Sequence, residues 1–211
     1  MYKLSKRLFD IIFAISFLIV FCWLYLIAYI GIKISSPGPV LYIAKRVGKN
    51  GEVFNCYKFR SMKVDSGKVK ITTLKNDSRI FPFGHFIRNT KIDEVPQIFN
   101  ILKGEMSVVG PRPEDIINAD KLYIGNYRKI LTVKPGLTSP ASLYDYTHGE
   151  MYENERDYES IFLPEKLKLE LYYVNHRSFV YDMHIILKTA YDIIAKICGK
   201  TNFATPKELV I

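Results

Sequence analysis

Asp93 and Glu94 are adjacent, and they precede a run whose apolar residues, Ile92, Val95, Ile98, Phe99, Ile101 and Leu102, recur at helical spacing until Gly104 stops it. The spacing predicts a helix over 94–103 with Asp93-Glu94 at its start and Pro96 in the first turn, where a missing N–H costs nothing. Two readings of the acidic pair stay open. Asp at a helix start caps free N–H groups and complements the dipole, a purely structural role. The same field could keep Asp93 ionised and draw a phosphate to it, as an attacking carboxylate requires.

Cations that suit a diphosphate are spread over loops and element ends: Lys45, Arg46, Lys58, Arg60, Arg88 and Arg112. Taken singly, each reads as a solvated surface charge. Arg112 differs, because Pro111 and Pro113 flank it in Gly110-Pro111-Arg112-Pro113 and stiffen the backbone that presents it. A guanidinium can grip phosphate oxygens through two parallel N–H bonds. Glu105 and Asp115 are nearby acids suited to ion pairing.

The elements that must position these groups begin with the apolar run 11–32, which has no charged side chain and would extend roughly 33 Å as a helix, about the thickness of a bilayer core. The run is too long for a signal peptide and no small-residue cleavage site follows it; its lack of a polar face argues against a buried soluble helix. Lys3, Lys6 and Arg7 precede it, and Lys33, Lys45, Arg46 and Lys49 follow it. Positive charge on both flanks conflicts with a simple spanning helix and makes a hairpin that dips in and returns, with both ends cytoplasmic, an alternative of about equal standing. Ser35-Ser36-Pro37-Gly38-Pro39 then ends the helix.

Further on, the runs 40–43 and 53–57 flank Gly48-Lys49-Asn50-Gly51 and predict a β-hairpin. Residues 64–77 read as a mobile polar loop, 114–130 and 153–175 as helices, and 134–149 as a turn-rich stretch. A last helix over 179–197 lines up Val180, Met183, Ile186, Leu187, Ala190, Ile193, Ile194 and Ile197, a stripe fit either for core packing or for a membrane interface. The expected fold is mainly α with a small β-hairpin (α+β), divided into a membrane-embedded segment 1–36 and a catalytic domain 37–211.

Lys and Arg outnumber Asp and Glu by 30 to 21 in 211 residues, which points to anionic partners. The basic residues are scattered rather than striped and no nucleic-acid-binding signature is present, so nucleic acid is not an expected partner. Three cysteines without metal or disulfide spacing fit a reducing, cytosol-facing setting.

Over four blocks the chain resembles the bacterial sugar transferases that are monotopic phosphoglycosyl transferases, in the branch made of little more than the catalytic domain. The blocks are Lys6-Arg7-Leu8-Phe9-Asp10; Tyr57-Lys58-Phe59-Arg60-Ser61-Met62; the long run from Asp93-Glu94-Val95-Pro96-Gln97 through Gly104-Glu105-Met106-Ser107-Val108-Val109 to Gly110-Pro111-Arg112-Pro113; and Lys134-Pro135-Gly136-Leu137-Thr138. The resemblance implies a re-entrant helix in the inner leaflet of the bacterial cytoplasmic membrane, interfacial amphipathic helices and a domain on the cytoplasmic face. It also implies a two-step reaction in which Asp93 attacks the β-phosphate of a UDP-sugar, UMP leaves, and polyprenyl (undecaprenyl) phosphate takes up the phosphosugar. Glu94 would assist as metal or proton partner, Mg2+ would be held by Asp93 and Glu94, and Arg112 would hold phosphate or uridine; membrane lipids are further partners, and a homodimer stays open.

Two departures stand out. Where the family breaks its membrane helix with Ser-Pro, this chain has Cys22-Trp23, so the proline kink is missing and re-entry needs another cause, such as a hydrogen bond from Ser16 or packing on the domain. After Thr138, the family's Gly-Trp-x-Gln and later Gly-Arg are replaced by Ser139-Pro140-Ala141-Ser142-Leu143-Tyr144-Asp145-Tyr146. A basic, membrane-tethered binding or scaffold protein, with Asp93-Glu94 merely a cap, is the competing function.

Overall fold

The computed structural model describes residues 2–64, 77–149 and 155–209. The expected loop 64–77 lies outside the described residues except at Val64 and its end at Asp77. Helix α1 spans Tyr2–Ser35. Strands β1 (Leu41–Val47) and β2 (Val53–Phe59) pair antiparallel. Helix α2 (Pro82–Asn89), a 3-10 turn (Ile92–Gln97) and helix α3 (Ile98–Lys103) follow. Strand β3 (Ser107–Val109) pairs in parallel with β4 (Gly136–Thr138), across α4 (Ile116–Leu122) and a 3-10 segment (Gly125–Thr132). Helix α5 (Pro140–His148), a π turn (Tyr158–Phe162) running into α6 (Leu163–His176), and α7 (Phe179–Ile197) complete the order.

The hairpin forms because Asn50 (φ 58°) and Gly51 (φ 84°) accept the left-handed backbone of a tight connection. The first strand runs past the expected 40–43 on its turn side, to Val47, and the second runs past the expected 53–57 on its outer side, to Phe59. Three sequence expectations are corrected. The helix predicted over 94–103 starts only at Ile98, since Pro96 lies within a tighter 3-10 turn. The stretch 134–149 is not mainly turns: Ser139 accepts the N–H of Ser142 at 2.9 Å and caps α5, with Pro140 in its first turn. The helix over 114–130 is α4 plus a separate 3-10 segment, with Asp115 as the cap of α4.

Helix α1 is the one described helix long and apolar enough to cross a membrane. It is seated on the rest of the chain through both halves. In the first half, Arg7 donates to the carbonyls of Ile101 (2.6 Å) and Leu102 (2.9 Å), satisfying the C-terminal end of α3. Buried Asp10 accepts from Ser107 Oγ (3.0 Å) and Val108 N (2.9 Å), and Lys6 pairs with Asp182 of α7 at 2.7 Å. In the second half, Ala28 and Ile32 pack with Phe59, Phe81, Ile87 and Val95. Between the halves the helix is kinked at Phe21 (φ −112°, ψ 20°), where Trp23 Nε1 donates to the carbonyl of Val20 at 3.1 Å. The bend therefore occurs without proline, and with no hydrogen bond from Ser16 among the described residues; packing of both halves on one body is the cause that fits.

The stripe on α7 is divided: Ile186 packs against the core, while other members face outward. Val180, Leu187 and Ile194 are 79%, 71% and 61% exposed, whereas Asp182, Ile185 and Asp192 are the buried positions. A helix that buries acids and exposes leucine and isoleucine presents an apolar face outward.

Candidate active site

The 3-10 turn carrying Asp93 and Glu94 is fixed on three sides. Lys91, in the left-handed conformation (φ 59°, ψ 14°), precedes it, and its carbonyl accepts the N–H of Glu94 at 3.2 Å. Tyr25 of α1 donates to the carbonyl of Val95 at 3.2 Å, tying the long apolar helix directly to the turn. Asn100, fully buried, accepts from Tyr57 N (3.1 Å) and donates to the Asn55 carbonyl (2.7 Å) and Glu105 (2.6 Å). The bonds to Tyr57 and Asn55 dock α3 on the edge of β2, which sets Lys58 opposite the acidic pair, and the bond to Glu105 satisfies the rest of the amide.

The fourth wall is the Gly110-Pro111-Arg112-Pro113 loop. Gly110 donates to the Thr138 carbonyl at 3.0 Å and Gly136 to the Pro111 carbonyl at 2.8 Å, so the parallel β3–β4 pair holds the loop's first half. A Cβ on Gly136 would lie 2.1 Å from Gly110 N, so the backbones meet where only glycine fits. Beyond it, the Arg112 N–H donates to Oε1 of Glu170 at 2.8 Å, and Ser139 Oγ reaches the same oxygen at 3.1 Å.

Asp93 and Glu94 are 8% and 7% exposed, and they play different electrostatic parts. Burial alone would raise Glu94, but its Oε1 accepts from Lys58 Nζ (2.9 Å) and Arg112 Nη2 (3.1 Å), and these cations hold its carboxyl well below the usual range. Asp93 goes the other way: burial and then the charge of Glu94 push it up, against the pull of Lys58, Lys91 and Arg88. Its Oδ1 is buried with no hydrogen-bond partner. The expectation that a helix start keeps Asp93 ionised is thus corrected. The α-helix begins too far along, and what favours the carboxylate is the ring of cations.

Of the predicted site residues, Asp93, Glu94, Lys58, Arg112 and Arg88 are gathered here, Arg88 acting on Asp93 through its charge while donating to Ser61 Oγ at 3.4 Å. Pro111 and Pro113 frame Arg112 as backbone. Arg60 is a correction: it is buried, and its guanidinium is spent on the Ser36 carbonyl (2.7 Å), Ser36 Oγ (2.9 Å) and the Pro39 carbonyl (2.6 Å), clamping the chain that leaves α1. Arg46 is another, since it pairs with Asp115 at 3.6 Å and with neither site carboxylate. Sequence reasoning missed Lys91, Glu170 and Tyr25. Only Lys91 carried a signal, as a cation two positions before Asp93.

Asp93 is thus a buried carboxylate with one unpartnered oxygen, set in the field of Lys58, Lys91 and Arg88, an arrangement whose chemistry suits an anionic, phosphate-bearing ligand. The chain is 37% identical over 200 residues to the UDP-glucose:undecaprenyl-phosphate glucose-1-phosphate transferase of Xanthomonas campestris pv. campestris, an alignment covering 92% of this chain and 40% of that protein. It is 37% identical over 207 residues to the undecaprenyl-phosphate galactose phosphotransferase of Salmonella typhimurium, covering 89% and 40%. With the exopolysaccharide production protein PSS of Rhizobium leguminosarum bv. phaseoli it shares 38% identity over 191 residues, 87% of this chain and 92% of that protein. The chain thus spans about two fifths of the length of the first two and nearly all of the third. The family model for bacterial sugar transferases matches residues 1–196, taking in α1, the acidic turn and the Arg112 loop in one stretch, and on that match the chain belongs to the bacterial sugar transferase family.

Proposed function

We propose that this chain is a phosphoglycosyl transferase that moves a sugar phosphate from a UDP-sugar to undecaprenyl phosphate. The observation that carries the proposal is Asp93 Oδ1, buried and without a partner, beside a Glu94 whose charge is already matched by Lys58 and Arg112. An oxygen left open in a buried site is free to form a bond. The names of the Xanthomonas and Salmonella relatives support the substrate classes.

In the first step the Asp93 carboxylate attacks the β-phosphorus of the donor. A new O–P bond forms, the bond from that phosphorus to the bridging oxygen breaks, and UMP leaves with the electron pair. In the second, a phosphate oxygen of the acceptor attacks the same phosphorus, and Asp93 leaves as carboxylate, giving a polyprenyl diphosphosugar. No net proton is consumed. Lys58, Arg88 and Arg112 oppose the charge that repels an anionic nucleophile from an anionic donor. Arg112, held by Glu170 behind and Glu94 in front, keeps N–H groups for ligand oxygens.

The residues fit a magnesium ion. Mg2+ binds through one or two carboxylates together with substrate phosphates and water, and Asp93 Oδ1 with Glu94 offers that set. When bound there it would neutralise charge between carboxylate and diphosphate.

The acceptor is a lipid, which gives α1 its place. Exposed apolar residues along α1 and α7 suit a bilayer, and the kink at Phe21 with both halves on one body suits a re-entrant helix in the cytoplasmic membrane, the domain facing the cytoplasm.

The test is to incubate detergent-purified protein with a panel of UDP-sugars, Mg2+ and undecaprenyl phosphate and to measure UMP. Without acceptor, intact-protein mass spectrometry should find a phosphosugar adduct on one donor's incubation, and Asp93→Asn should abolish both signals. UMP release that persists in the Asn variant overturns the nucleophile assignment; no release with any donor overturns the reaction.

A further inference from the structure

We propose that Lys91 is a further phosphate-binding residue of this site, and that Tyr146 of α5 is the positioning residue that holds it there. The inference deepens the phosphoglycosyl transfer reading and rests on it.

The backbone of Lys91 is left-handed, which a non-glycine residue seldom adopts, and such strain gathers at functional sites where the surroundings enforce it. The residue sits immediately before the turn that carries Asp93 and Glu94. Its side chain is half-buried, yet the ammonium makes no hydrogen bond or ion pair among the described residues. Among the described residues the ammonium lies over the face of the Tyr146 ring, 4.9 Å from the centroid. Lys196 already lies over the same ring, at 4.5 Å. A lysine normally offers three N–H donors to acceptors or water. Here they are parked on an aromatic face while the side chain stands in the field of Asp93, Glu94 and Asp145, with Arg112 opposing. An incoming phosphate supplies the acceptors that are missing.

Tyr146 is itself tightly built in. Its hydroxyl donates to the carbonyl of Asn89 at 2.7 Å, two residues before Lys91, and its own carbonyl accepts from Lys196 Nζ at 2.8 Å. The ring therefore sets both the path of the chain into Lys91 and the direction of the ammonium.

Lys91→Gly is the informative variant, because glycine accepts the left-handed backbone, so the side chain with its ammonium is removed without backbone strain. Its kcat/KM for the donor, read as UMP release, should fall at least tenfold, chiefly through KM, and Lys91→Arg should recover most of the loss. Tyr146→Leu should shift kcat/KM in the same direction, and Tyr146→Phe should do so less, since it keeps the ring. Affinity for UDP alone, measured by titration calorimetry, should weaken at least fivefold in Lys91→Gly. A Gly variant with kcat/KM within twofold of wild type, or with unchanged UDP affinity, overturns the proposal. So does an Arg variant that melts with wild type but recovers nothing. The calorimetric arm decides even where wild type releases no UMP, an outcome that would instead defeat the transferase reading.

Discussion

The backbone N–H of Arg112 donates to a carboxylate oxygen of Glu170 at 2.8 Å, so the loop that presents the guanidinium to Glu94 hangs on an acid in α6. Glu170 is 2% exposed and its second oxygen has no partner. Burial pushes its carboxyl from 4.5 up to about 7, although Arg112 N–H, Lys166 and Ser139 pull the other way.

A stability prediction follows with a definite sign. Below about 4.5 the group is neutral folded and unfolded; between there and about 7 only the unfolded chain ionises, so stability falls as pH rises through that window. The loss amounts to about 3 kcal/mol when complete. Glu170→Gln cannot ionise. Its melting temperature in detergent should drop less between pH 5 and pH 8 than that of wild type, by roughly 6 °C. Equal drops would mean that Glu170 is not the group responsible.

Glu94 holds two cations on one oxygen, Lys58 at 2.9 Å and Arg112 at 3.1 Å. Glu94→Gln leaves both unmatched and removes a carboxylate from the site, so UMP release should fall about 100-fold or more, with the protein still folded. Arg112→Ala removes the guanidinium proposed to hold donor phosphate but no reacting atom. It should raise the donor KM at least tenfold with kcat within about threefold; a loss confined to kcat would mean that the contact forms only in the transition state.

Much of the positioning apparatus was legible in local sequence, because it depends on neighbours along the chain. The hairpin was marked by Asn50-Gly51, the end of α3 by Gly104, and α7 by its apolar spacing. What was hidden depends on distant partners or on backbone geometry. The Arg112–Glu170 bond joins residues 58 apart in sequence. The left-handed Lys91 has no residue-type signal, since glycine is what usually announces that conformation. Helix α5 was obscured by Ser139-Pro140, which reads as a turn yet serves as cap and first residue of a helix. Arg60 misled because a buried guanidinium satisfied by carbonyls has the same sequence appearance as a phosphate ligand.

The close approach of Gly110 and Gly136 makes a sharp stability test. A Cβ at Gly136 would stand 2.1 Å from Gly110 N and 2.5 Å from Gly110 O, and backbone cannot move aside as a flexible side chain could. Gly136→Ala should cost about 1–3 kcal/mol or more and drag the Arg112 loop out of place. Melting temperature and UMP release should fall together. A variant melting within 2 °C of wild type would show that the strands have room to part.

The proposed re-entrant course of α1 can be tested by labelling. Arg7 is bonded to the end of α3, Asp10 to Val108, and, beyond the kink at Phe21, Tyr25 to Val95. A straight spanning helix cannot keep its start and its end on one domain without drawing that domain into hydrocarbon, where unpaired polar groups are costly. Cysteines placed at Lys3 and Lys33, with Cys22 and Cys198 replaced by serine and buried Cys56 retained, should therefore react with an impermeant maleimide from the same side. Both should be protected in intact spheroplasts and labelled in inside-out vesicles. Labelling of one site in each preparation would mean that α1 crosses the bilayer, and the contacts that tie its first half to α3 and β3 could not coexist with those that tie its second half to the acidic turn.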